Sequence, residues 1–268
     1  MIKFTKQLLL LLTIVFFSAN SFCQKSEFCG IKNTCFKAGE KVIMKVFYNA
    51  MGTYVGAGEA VFTTALERFN GKTVYHCIGE GKTYPFFDKF FMVRDRYESF
   101  IDTATLSPYK FIRNVTEGGT KIYNNVTFNQ AANTAVSANG VFKITDCMQD
   151  VVSAVYYARN IDWSKYKPGD KIPFDMFLDD EIYHLYIRYI GKEKVKTQYG
   201  KFNAIKFKPL LIKGTIFEGG ENLSAWVSDD PNRLLLRVES PISVGKVKID
   251  MMGYSGLRYP LTSLLSFR

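Results

Sequence analysis

Residues able to do chemistry are scattered through this chain, and their spacing argues against most reactions. Gly79-Glu80-Gly81-Lys82-Thr83 ends like a phosphate-binding loop, but His76 stands where that motif needs its first glycine. Pro85, Phe86 and Phe87 follow where a helix should begin, so the loop lacks its context. Gly56-Ala57-Gly58-Glu59 opens like a dinucleotide fingerprint, yet Val61 replaces the third glycine. Glycines inside a β pattern point instead to a bulge, a bend or a close backbone approach. Asp179, Asp180, Glu181 and His184 come nearest to a metal or acid–base cluster. In a strand, residues three apart face opposite sides, so Glu181 and His184 do not converge. Gly253-Tyr254-Ser255-Gly256 is one residue short of a nucleophile elbow, because Leu257 takes the last glycine position. A triad would need His76 or His184, the only two histidines, beside a nucleophile that the sequence does not identify. A carboxylate pair acting on envelope glycans stays open, since carboxylate separation is a property of the fold. The reading leans away from an enzyme and names no catalytic residue, no metal and no cofactor.

The cysteines speak to compartment. Residues 1–23 carry Lys3 and Lys6, an apolar run over 8–17 and a Ser21-Phe22-Cys23 approach to Gln24, the pattern of a secretory leader cleaved before Gln24. The apolar run is short of the roughly 20 residues that span hydrocarbon. Phe22 is a poor fit to the small residue that lipidation at Cys23 would favour. The expected location is therefore periplasmic or secreted. Cleavage leaves Cys29, Cys35, Cys77 and Cys147, an even number suited to disulfides in an oxidising compartment. A loop containing Gly30 could close Cys29 on Cys35, with Cys77 and Cys147 as buried thiols. Formal charge is +10, and removing two leader lysines lowers it to +8. That balance favours anionic surfaces such as lipid headgroups, while an exported protein has no nucleic-acid partner.

Most of the mature sequence alternates apolar and polar residues in short runs rich in Val, Ile, Tyr and Phe, the signature of strands. Strands are expected over 42–49, 58–69, 73–82, 96–101, 109–116, 121–129 and 134–137. A second group is expected over 171–178, 182–191, 193–197, 202–211, 223–228, 234–239 and 245–251. Asn70-Gly71 is the strongest hairpin signal. One segment differs: residues 146–159 place Met148, Val151, Val152, Val155 and Tyr156 on one helical face, with Asp146 as an available N-cap. The expected fold is mainly β, a strongly curved antiparallel sheet or incomplete barrel packed around this one principal helix. Its parts are the leader 1–23, an N-terminal segment 24–39, one β-rich domain 40–252 and a C-terminal tail 253–268.

The order of motifs adds a resemblance. Phe47-Tyr48-Asn49-Ala50-Met51-Gly52 leads to Gly56-Ala57-Gly58-Glu59-Ala60, then to Tyr97-Glu98-Ser99-Phe100-Ile101-Asp102 and Leu106-Ser107-Pro108. Asp150 to Arg159, Tyr199-Gly200-Lys201-Phe202-Asn203-Ala204 and Ala225-Trp226-Val227-Ser228-Asp229-Asp230 with Arg233 follow. Over about residues 40–252 this series resembles the bacterial exported family called domain of unknown function 3108, and the leader is similar to those of Bacteroidetes. The family carries no assigned activity. More distantly, its curved sheet with one helix is similar to periplasmic lipoprotein carriers, which implies an acyl chain held inside an incomplete barrel.

Aromatic residues make up 15% of the chain, and Tyr84, Phe86, Phe87, Phe90, Phe91 and Met92 form its densest apolar stretch. Most aromatics belong to a core, but this stretch could cover or line a cavity if it lay over the mouth of the sheet. The expected function is noncatalytic binding of a lipid or other apolar envelope ligand in the concavity. Candidate contacts are Tyr54, Phe86, Phe90, Tyr156, Tyr157, Arg159 and Trp226, aromatics as walls and the arginine as a polar handle. Asp150, Ser153, Asp229 and Asp230 read as capping and turn residues. The alternative is an envelope scaffold whose sheet docks a protein partner.

Overall fold

The computed structural model describes residues 29–49, 52–214, 219–242 and 245–268. The leader, Cys23 and the cleavage point before Gln24 lie outside the described residues.

Two antiparallel meanders make one sheet. The first comprises β1 (Lys41–Asn49), β2 (Tyr54–Phe69), β3 (Lys72–Thr83), β4 (Val93–Asp102), β5 (Pro108–Glu117), β6 (Thr120–Asn129), β7 (Thr134–Ser137) and β8 (Gly140–Lys143). The second comprises β9 (Lys171–Leu178), β10 (Glu181–Lys196), β11 (Gly200–Pro209), β12 (Ser224–Ser228), β13 (Leu235–Pro241) and β14 (Lys246–Ser255). Pairing of β1 with β14 joins the two arms, leaving β8 and β9 as the ends of the series. A last strand, β15 (Leu264–Phe267), folds back onto β11. Helical pieces interrupt the strands: α1 (Pro85–Asp88) between β3 and β4, and α2 (Val151–Arg159) between the arms, followed by a 3-10 turn at Trp163–Lys165.

Local chemistry explains the turns and bends. Asn70 and Gly71 both take positive φ, +47° and +79°, the backbone that a two-residue hairpin with native twist requires. Opposite β1, the ladder pairs Val46 with Gly58 and Phe47 with Gly56, so Ala57 is the extra residue of a bulge. A side chain on Gly58 would stand 2.4 Å from the Lys82 carbonyl oxygen, the close backbone approach expected of such a glycine. In the second arm, the separate strands expected over 182–191 and 193–197 are one strand, β10, with a register shift at Gly191, which takes φ +136°.

The arms curl toward each other without closing into a barrel. Among the described residues no ladder pairs β8 with β9. The free ends meet through side chains instead: Phe177 contacts Phe128 and Phe142, Arg113 of β5 pairs with Asp179, and Asn139 bonds Asp180. Within the curl, α2 packs against β3, β4 and β9.

Helix α2 begins later than its apolar pattern suggests, at Val151 and not at 146. Asp150 is its N-cap: Oδ1 accepts from the amides of Val152 and Ser153, both at 2.8 Å, and Ser153 Oγ accepts from the Asp150 amide at 2.8 Å. Upstream, Cys147 has φ +58° and Gln149 bridges to Met176 of β9, so that stretch is committed to turn and sheet. The expected Cys29–Cys35 bridge is also corrected, because Cys29 is bonded to Cys147. Cys35 points into the core, where its thiol donates to the Arg159 carbonyl at 3.0 Å, and Phe36 beside it is fully buried against Tyr75 and Tyr156. The segment before β1 is therefore laid along α2, which carries Cys29 to the helix approach. Four cysteines allow three connectivities, and short spacing alone does not choose among them.

Candidate functional site

The interior is built for rigidity. Tyr157, Phe36, Phe111, Phe177, Met148 and Ile172 are each less than 2% exposed. Several polar side chains there are matched to one another, while Arg159 Nε and Trp163 Nε1 have no hydrogen-bond partner among the described residues. Ser99 Oγ donates to Asp150 Oδ2 at 2.6 Å, Thr64 Oγ1 to Tyr156 Oη at 2.9 Å, and Arg159 Nη2 to Glu40 Oε2 at 3.0 Å and to the Asn232 carbonyl at 2.9 Å. Burial pushes the Asp150 carboxyl up to about 7 against the pull of Ser99 and the two amides. A space of about 30 Å³ beside Tyr156 and Arg159 is little more than one water's share of liquid volume.

The opposite character appears at one end of the sheet. There the adjoining ends of β1, β2 and β14 lie beside the β3–β4 connection containing α1 and the β5–β6 turn, as the register pairs Asn49↔Tyr54, Gly58↔Thr83, Val93↔Glu117 and Asn49↔Lys246 require. Phe86 is 64% exposed and Phe90 74%, with Phe91, Met92, Tyr54 and Val55 exposed beside them. The apolar run is anchored from below. Phe87 meets Tyr48 edge-on, the Tyr84 amide donates to the Ala57 carbonyl at 2.9 Å, and Phe91 lies so close to Gly118 that any Cβ there would stand 2.3 Å from its ring. Helix α1 is four residues long and none of its residues is fully buried.

Cations lie at the same end of the sheet. Lys89, Lys121 and Lys246 are exposed, and Lys248 stands over the Tyr54 ring at 4.0 Å. On the sheet face next to α1, a groove of about 500 Å³ crosses β2 to β5. Its floor is two registered rows, Glu59–Lys82–Arg94–Thr116 and Val61–Glu80–Arg96–Asn114. Lys82 Nζ lies 2.8 Å from Glu59, Arg96 Nη1 2.6 Å from Glu80, and Arg94 Nη2 2.6 Å from Asp88 of α1. The hydrogen bonds from Arg94 and Thr83 hold the Asp88 carboxyl below its ordinary range, and the bond and charge of Glu59 raise Lys82. On the inward side of β4, burial and the neighbouring Glu117 charge push Asp95 up to about 7.

The candidate contacts thus fall in three places. Tyr54, Phe86 and Phe90 share the exposed end; Tyr156, Tyr157 and Arg159 are buried on α2; Trp226 is buried in a second cluster with Phe202, Leu236 and Met251, its indole donating to Glu193 at 2.6 Å. The expected turn and cap residues act as such: Asp150 caps α2, and Asp230 accepts from Ser228 and the Asn232 amide. His184 pairs across the strands with Asp175, at 2.7 Å, and not with Glu181. Lys82 and Arg94 were not singled out as site residues by their sequence. The signal was the alternation Glu80/Lys82 and Arg94/Arg96/Glu98, which puts charge on successive outward positions where the two neighbouring strands approach α1.

Comparison with known proteins places this architecture. No curated protein matches the sequence. The crystal structure of a β-barrel-like protein of domain of unknown function DUF1849 from Brucella abortus shares the fold, with a TM-score of 0.56 at 7% identity over 84% of this chain and 98% of that one. A Bacteroides fragilis protein described as exported, with a YmcC-like fold, gives 0.32 at 13% identity over 85% and 99%. A lipoprotein from Parabacteroides distasonis gives 0.36 at 13% identity over 85% and 99%; both scores are too low to establish a common fold. The sequence itself is decisive: residues 44–252 match the family described as protein of unknown function DUF3108, and the chain belongs to that family.

Proposed function

We propose that this is an exported, noncatalytic cell-envelope protein that meets lipid with its outside, seating the hairpin-tip end on an anionic membrane surface. One observation carries the reading: two phenylalanines more than 60% exposed, Phe86 on a short anchored helix and Phe90 just after it, stand at an end of the sheet that also exposes Lys89, Lys121 and Lys246. Contiguous exposed aromatics mark interaction sites, and aromatic side chains beside Lys or Arg suit the boundary between headgroups and acyl chains. The leader pattern and the Cys29–Cys147 disulfide support an oxidising compartment outside the cytoplasm.

An acyl chain inside the curl has less support, since Tyr157, Phe36 and Phe111 fill that volume. Docking of a protein strand is the second reading, favoured by the short edge strand β8, whose Val141 is 70% exposed. Flotation with phosphatidylcholine vesicles, with and without phosphatidylglycerol, tests the membrane reading. Binding should need the anionic lipid and weaken as salt rises. Equal binding to both vesicle types, or none to either, contradicts it.

A further inference from the structure

On the outward face of the sheet the register row Lys82–Glu59–Lys45–Asp250–Arg237 crosses β3, β2, β1, β14 and β13. Each carboxylate of that row is taken by an end cation: Glu59 by Lys82 at 2.8 Å, and Asp250 by Arg237 at 2.6 and 2.9 Å. Lys45, in the middle, forms no ion pair among the described residues. Nearer the end of the sheet, Lys248 stands opposite Phe47 and is unpaired in the same way, because Glu239 across from it turns to Arg237 at 3.4 Å. Both ammonium groups lie over the Phe47 ring, 5.5 and 5.3 Å from its centre, and Lys248 is also 4.0 Å from the centre of the Tyr54 ring. Phe47 is only 8% exposed on this outer face, so the lysine stems shield it from water. Shielding explains the stems; it leaves two like charges converging on one ring with no carboxylate of their own, and exposed Lys246 adds a third nearby. The place is also next to α1. A Cβ on Gly56 would stand 2.8 Å from Lys45 Cε and 3.8 Å from the ring of Tyr84, the N-cap residue of α1.

We infer that Lys45 and Lys248 receive the phosphate of an anionic lipid headgroup. Two ammonium groups on flexible stems supply compact point charges to the free oxygens of a phosphodiester, and no carboxylate has to be displaced to admit it. A zwitterionic headgroup brings its own cation and gains little from the pair. The inference rests on the membrane reading and gives the headgroup a named place: with Tyr84 beside Gly56, a phosphate at the two lysines lies on the flank of the helix whose Phe86, with Phe90 after it, meets the acyl chains.

The test is a 15N–1H NMR titration of the folded protein with monomeric dihexanoyl phosphatidylglycerol, and with dihexanoyl phosphatidylcholine as the zwitterionic control. Saturable shifts at the amides of Lys45, Phe47, Tyr54 and Lys248 are expected with phosphatidylglycerol, with affinity falling at least about tenfold in Lys45→Gln/Lys248→Gln. Lys194→Gln/Lys201→Gln removes the same charge at the far end of β10 and β11 and should bind within about twofold of wild type. Should the first variant not fold, Gly56→Ala displaces the Lys45 ammonium alone and should weaken binding at least about threefold. Equal shifts with both lipids, shifts that survive in Lys45→Gln/Lys248→Gln or Gly56→Ala, or an equal loss in Lys194→Gln/Lys201→Gln overturn the inference even if vesicles bind. Lysine-dependent shifts in a protein that ignores vesicles uphold the headgroup site and defeat the membrane reading instead.

Discussion

The core around α2 and the end around α1 use aromatic residues to opposite effect. Around α2, Tyr156 and Tyr157 are buried with each polar atom matched, and Arg159 is closed on Glu40. Around α1, Phe86 on the helix and Phe90 just beyond its end stand in water. The first arrangement stabilises the fold; the second leaves apolar area in water, the pattern of an interaction site. A residue's type says little about its role here, and its element says much.

The largest effect that could break this contrast concerns the core. Glu40→Ala leaves the Arg159 guanidinium buried without its carboxylate, and unfolding in denaturant should show a loss of about 3–5 kcal/mol. Removing the Cys29–Cys147 bond with Cys147→Ser should cost about 2–5 kcal/mol, because the bond closes a loop of 118 residues in sequence. Both variants, where folded, should bind vesicles as the wild type does. Reversed behaviour is expected at the other end. Phe86→Ser/Phe90→Ser should leave unfolding within about 0.5 kcal/mol of wild type while vesicle affinity drops at least about tenfold. A large stability loss in that variant would show that these rings belong to the core after all.

The smallest effect lies between the regions. Asp95 alternates with Tyr97 and Ser99 on the inward side of β4, and its carboxyl is raised to about 7. Between its ordinary value near 3.8 and about 7, the folded protein holds a proton that the unfolded chain has released. This group's contribution to stability therefore falls as pH rises through that window. Asp95→Asn should flatten that fall, by on the order of 1 kcal/mol once solvent screening is allowed for. Thermal melts across the window check it, and an unchanged slope would place the proton elsewhere.

The β architecture was legible because period-two alternation is a local property, and Asn70-Gly71 specifies its turn within two residues. Helix α2 was legible as a helix, but its buried side was only partly so, since Val155 of the expected face is exposed while Ala154, Tyr157 and Ala158 are buried; its start was missed because Met148 and Gln149 fit a helix in pattern while Met176 of β9 claims the backbone. Strand β15 was missed because four residues carry too little period, and its partner β11 supplies the order. The cysteine pairing escaped for a related reason: the path of residues 29–39 along α2 is set by Phe36 and Asn33 contacts far away in sequence. Of the site, the density of aromatics over 84–92 was visible and their exposure was not. Burial depends on what the rest of the chain brings, and among the described residues Phe90 is left 74% exposed.

Paramagnetic broadening on lipid nanodiscs tests the central claim most directly. With phosphatidylglycerol present and a nitroxide placed just below the headgroups, amide signals of residues 86–92 should broaden most, followed by Tyr54, Val55 and Lys121. Signals of α2 should stay sharp. Broadening centred on the β8 edge or on α2, or none at any residue, would contradict the account.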